Sequence, residues 1–130
     1  MNFRRAELEH FGSAIHWMDD DPAKDTFEQW ITFAANDRYG LHAEKVVSIE
    51  HADADEKAID SWLETRCAGD AILVIFARDA VLRTDIRFFL HNWRDMLCPS
   101  RDDALIVSPN KNWIMFYCHE DEFEYGQIDM

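Results

Sequence analysis

Six histidines, three cysteines and 26 acidic residues are the side chains that could do chemistry in this 130-residue chain. A zinc site needs His or Cys ligands at set spacings. His10, His16, His42, His51, His91 and His119 form no such pair with one another or with a cysteine. His119-Glu120 opens like a zinc-protease helix, but Phe123 stands where the second histidine belongs. His51-x-Asp53-x-Asp55 could ligate a metal, yet Asp53 reads better as the cap of a following helix. Nucleophilic catalysis fares no better. There is no Gly-x-Ser-x-Gly, and four glycines leave no phosphate-cradling loop. Cys98 follows a helix C-terminus, whose dipole disfavours a thiolate. Cys118 and His119 are neighbours on a strand and point to opposite faces. The expectation is no catalytic residue, no metal and no cofactor.

The carboxylates offer recognition instead. A hairpin about Pro109–Asn112 places Asp103 opposite Cys118 and brings the turn Glu120-Asp121-Glu122 to the same end as Asp102 and Asp103. Five carboxylates then share one rim. It is either a solvated strand end or a surface for a basic partner. A glycosidase-like pair would need a carboxyl in an apolar pocket, which loop-borne acids beside water do not suggest. Trp113 or Tyr125 could supply an apolar anchor beside the rim. Arg83, Arg87, His91 and Arg94 form an opposite-sign set at helical spacing. They read as surface ion pairs or, alternatively, as an anion contact at Arg87 and Arg94 of a small enzyme or ligand-binding domain.

Three helices and several strands must position these groups. Asp19-Asp20-Asp21-Pro22 starts the first helix, with Asp21 as cap. Phe27, Trp30, Ile31 and Ala34 form its apolar face, and Asn36–Gly40 ends it. Lys45–Glu50 is β-prone. Asp53 and Glu56 make a capping-box pattern for a second helix with Ile59, Trp62, Leu63 and Cys67 on one face and Gly69 as its stop. Ala71–Ala77 is apolar on both faces and predicts the central strand. With Lys45–Glu50 and the helix between, it would form a right-handed βαβ unit. Thr84 caps the third helix, which buries Ile86, Phe89, Leu90, Trp93 and Leu97 and ends at Cys98-Pro99. The strands Ala104–Ser108, Trp113–His119 and Phe123–Gly126 then follow as a meander. Before the first helix, Leu8, Phe11, Ile15 and Met18 have helical spacing broken by Gly12-Ser13, and Ser13–Trp17 fits a strand equally. Trp30, Trp62 and Trp93 recur about every 31 residues, as an internal repeat or as three separate core anchors.

The totals agree with one acidic domain over residues 1–130. Hydrophobic residues make up 48%, enough for a core. A net charge of −13 argues against nucleic-acid binding, which needs clustered Lys and Arg. The longest apolar run, Ala71–Ala77, is too short to span a membrane. Three unpaired cysteines and no secretory leader suggest free thiols and a cytoplasmic location. The fold class expected is α+β: three main helices on a mixed sheet of about five strands, with a C-terminal antiparallel β-meander.

One stretch carries a resemblance. Trp93, Asp95, Pro99-Ser100-x-Asp102-Asp103, Trp113, Tyr117, His119-Glu120, Glu122-Phe123 and Gly126 form a pattern over about a quarter of the chain. It resembles the C-terminal part of small acidic bacterial immunity proteins of polymorphic toxin systems. That resemblance implies a cytoplasmic protein that binds one cognate toxin and does no chemistry. Toxins that attack nucleic acid are basic, so an acidic inhibitor fits them. Asp102, Asp103, Glu120, Asp121 and Glu122 would face such a basic partner.

Overall fold

Alternation along one strand sets the architecture. Trp113, Met115 and Tyr117 pack into one hydrophobic cluster, and Ile114, Phe116 and Cys118 into another. A strand buried on both sides needs a layer over each face. The computed structural model, which describes residues 3–128, has such layers.

The elements run in the order α1 (Phe3–Glu7), a 3₁₀ segment (Glu9–Ala14), β1 (Ile15–Trp17), α2 (Asp20–Trp30), a 3₁₀ turn (Ile31–Phe33), β2 (Val46–Asp53), α3 (Ile59–Arg66), β3 (Ala71–Ala77), β4 (Ala80–Asp85), α4 (Ile86–Met96), β5 (Ala104–Val107), β6 (Trp113–Cys118) and β7 (Glu122–Ile128). The fold is α+β, with one seven-stranded sheet in the order β1-β4-β3-β5-β6-β7-β2. Every neighbouring pair is antiparallel. The sheet is therefore larger than expected and not mixed. The C-terminal meander is present as β5-β6-β7.

The βαβ unit does not form. β2 pairs with β7 at the edge, and β5, β6 and β7 separate it from β3. The reason is non-local: β3 finds its partners in β4 and β5 instead. β4 is the strand that sequence reasoning missed. Ala80, Val81 and Leu82 are buried within it, and Arg83 is exposed on a strand rather than a helix. Thr84 also belongs to β4 and donates its hydroxyl to the Ala14 carbonyl. Asp85 caps α4 in its place, accepting from the Arg87 and Phe88 amides. Similarly, α3 begins only at Ile59, after a turn in which the Asp53 amide donates to Glu56. Asp19 rather than Asp21 occupies the cap position of α2. Ile15–Trp17 resolves the two readings of the N-terminal stretch in favour of a strand.

The first face of the sheet is covered by Leu8, α3 and α4, through Ile59, Leu63, Phe89 and Trp93. The second is covered by α2, the 3₁₀ turn and Leu41, through Ala23, Phe27, Trp30 and Phe33. Trp30 thus packs on one face while Trp62 and Trp93 pack on the other. Their spacing does not mark equivalent positions. A register shift in β2 between Val47 and Glu50, with Ser48 at φ 56°, turns Ile49 to the second face and Ala52 to the first.

Candidate functional site

The expected acidic rim divides once its side chains are followed. Asp102 has a fully buried side chain. It accepts from the Cys98 amide at 2.9 Å, from Arg101 Nε at 2.9 Å and from Arg4 Nη2 at 3.2 Å. It ties α1 to the α4–β5 loop and does not face a partner. Burial pushes its carboxyl up, but the bonds from Arg101 and Cys98 outweigh that and hold it below the usual carboxylate range. Asp121, at φ 63°, accepts from the buried Tyr117 hydroxyl at 2.7 Å. Trp113 and Tyr125 are also internal. They stack with centroids 6.1 Å apart, and Trp113 donates to the Ala68 carbonyl. Both are core residues rather than surface anchors, because their strand parity turns them to the first face under α3.

The remaining acids stay at the surface. Glu120 is exposed. Asp103 is half-buried and accepts from the His119 amide at 3.0 Å, with His119 Nδ1 also 3.0 Å away. Glu122 meets His51 Nε2 at 3.3 Å. Leu105, Phe116 and Cys118 share the second face, and Asp103 and Glu122 flank them at strand ends.

That face holds a cavity of about 540 Å³. Ile75, Leu105 and Phe116 form its floor, Phe27 and Ile31 one wall, and the Ala34–Tyr39 segment the other. Asp37 and Asp103 are among its lining residues. Ile31 and Tyr39 stand at its lips and are among four exposed large hydrophobics of the described residues, Tyr39 being 61% exposed. Arg38 adds little net charge, because it holds Glu124 through two bonds of 2.6 and 2.9 Å and also donates to the Leu41 carbonyl. Burial raises the Glu124 carboxyl, but bonds from Arg38 and the Leu41 amide win and keep it low. Arg78 lies over the Phe27 ring at 5.5 Å.

Beside the groove, the His119 ring meets Tyr39 edge-on at 4.5 Å. The Asp103 carboxylate beside Nδ1 fixes the orientation of the ring. Among the described residues no hydroxyl or thiol is hydrogen-bonded to that imidazole. The thiols are free. Burial pushes Cys67 up to about 12 and raises Cys118.

On the first face, Arg87, His91 and Arg94 line a cleft of about 380 Å³. Asp60 and Glu64 line it too, so the two guanidinium charges are matched by two carboxylates. Arg94 is further engaged by the Ala54 carbonyl and the Trp93 face. Arg83 is not part of this set.

Of the acids expected on the rim, Asp103, Glu120 and Glu122 lie at the surface, whereas Tyr39, Ile31 and Asp37 of the groove were not among the residues expected there. A tyrosine inside the polar run Asn36–Gly40 was the available signal, read there only as a helix stop. No family model and no curated protein matches this sequence.

Proposed function

We propose that this is a non-catalytic, acidic protein-binding domain that covers the surface of a basic partner, in the manner of an immunity protein neutralising a toxin such as a nuclease. The observation that carries the reading is the second-face groove. Exposed Tyr39 and Ile31 flank an apolar slot with Asp37 and Asp103 in its lining. Aromatic anchors next to a desolvated pocket and a charged rim are the usual anatomy of a protein interface. With 26 acids against 13 bases, charge complementarity selects a basic partner. Glu120 and Glu122 extend the charge along the β6–β7 turn.

Affinity capture from the native host's lysate tests it. Wild-type protein should retain a basic protein at low salt, and release it at high salt. An Ile31→Asp/Tyr39→Ala variant should retain at least about tenfold less, the loss expected on removing interface anchors. Equal retention by that variant would end the assignment. The rival reading, a small enzyme or ligand-binding domain, draws on the Asp103–His119 pair and on Arg87 and Arg94. It predicts a low-molecular-mass compound released when the purified protein is denatured.

A further inference from the structure

We infer that His51, Asp53 and Glu122 form a binding site for a divalent transition-metal ion of the zinc class. The site is carried by β2 and β7 and does not depend on the protein-binding reading, although the small cavity beside it shares Tyr39 and Phe116 with the groove. Its parts come from the β2–β7 pair. Asp53 lies directly opposite Glu122, and His51 is two residues earlier on the same strand face. One ligand atom from each lies within 4.8 Å of the other two. His51 Nε2 is 3.3 Å from Glu122 Oε2 and 4.0 Å from Asp53 Oδ1. Donors bound to zinc at its usual distances stand about 3.4 Å apart in a tetrahedron. The first separation already fits, and rotation of the half-exposed Asp53 side chain closes the second.

Two further observations single out this cluster from the many acids of the chain. Among the described residues, the three side chains have no hydrogen bond or ion pair outside their own group. Glu124, which faces His51 across the strands, is hydrogen-bonded to Arg38 and the Leu41 amide and interacts with His51 only through its field. In addition, a small cavity of about 10 Å³ opens beside two of them, His51 and Glu122, with Tyr39, Phe116, Cys118, Phe123 and Glu124 as the rest of its lining. That is room for one water-sized species. The reason for setting Asp53 aside as a helix cap has also gone, since α3 starts six residues later.

The donor set names the ion. One imidazole with two carboxylates suits zinc and its first-row neighbours, whereas magnesium and calcium prefer oxygen alone. The three side chains that converge are one imidazole and two carboxylates, so the set is nitrogen and oxygen without sulfur. Three protein ligands at a surface leave at least one position open to water or to a donor from a bound molecule.

Calorimetry with zinc chloride as the probe, on the full chain in a non-chelating buffer, tests the site. One ion per chain should bind, and excess magnesium should not displace it. His51→Ala and Glu122→Gln should each weaken binding at least about tenfold, since even indirect partners of a ligand cost that much. His119→Ala should leave it unchanged. Both substituted positions are at the surface, and unchanged circular dichroism checks that each variant folds. No zinc binding, binding unaltered in both variants, or binding lost with His119→Ala instead would overturn the inference.

Discussion

Asp102 carries its charge inside the molecule, and its donors make that tolerable. Arg101, Arg4 and the Cys98 amide supply them, with Arg4 arriving from 98 residues away. Breaking such a pair leaves cations facing a void, and Asp102→Ala should destabilise the fold by about 3–5 kcal/mol, read by urea unfolding. The sign of the pH dependence follows from the lowered carboxyl. A group whose folded value is depressed contributes fully above its unfolded value of about 3.9, and the contribution is lost as pH falls through the folded value. The stability gap between wild type and variant should therefore be wide at neutral pH and narrow in acid. A gap that stays constant to acid would show that packing, not charge, holds this corner. The thiols make a second residue-scale contrast. Cys98 is half-buried while Cys67 and Cys118 are buried. An alkylating reagent at about pH 8 should modify Cys98 and spare the others in the folded protein, with mass spectrometry as the readout.

At the scale of elements, caps and strand partners decide what a local reading can reach. β3, β5 and β6 were legible because apolar runs bounded by turn residues have few other uses. β4 was not, because Arg83 sits at helical spacing from Arg87 and the three residues before it suit either state. The placement of β2 beside β7 depends on a pairing some 75 residues distant, for which no local signal exists. The candidate site divides likewise. Its acids could be read from composition, but whether a carboxylate turns inward depends on donors from elsewhere in the fold, as with Asp102. The α4 cap gives a direct test of the corrected boundary. Asp85→Ala should cost about 1 kcal/mol in chemical denaturation through lost bonds to two free amides. Gly126 tests the β2–β7 edge. A side chain there would run into Val46 and the Val47 carbonyl, so Gly126→Ala should destabilise by about 1–3 kcal/mol. A neutral result at Gly126 would mean that the bulge at Ser48 yields freely.

For the whole molecule, the charge and the groove should act on different steps of one association. For the basic partner proposed above, a net charge of −13 would act beyond contact, but only over about 10 Å at ordinary salt. On the same proposal, exposed Tyr39 and Ile31 would act after contact, when water leaves the slot. Long-range charge therefore belongs to the association rate, and the anchors to the dissociation rate. Asp37→Lys/Glu120→Lys changes two exposed carboxylates and leaves the Asp103–His119 pair intact. With the captured partner in surface plasmon resonance, it should slow association several-fold, flatten the salt dependence of that rate, and leave dissociation nearly untouched. Tyr39→Ala should do the reverse, speeding dissociation at every salt concentration. If charge reversal instead speeds dissociation and leaves the salt slope as it was, the carboxylates are contact residues rather than a steering field. If Tyr39→Ala changes neither rate, the groove is not where the partner sits, and the acidic surface must meet it elsewhere.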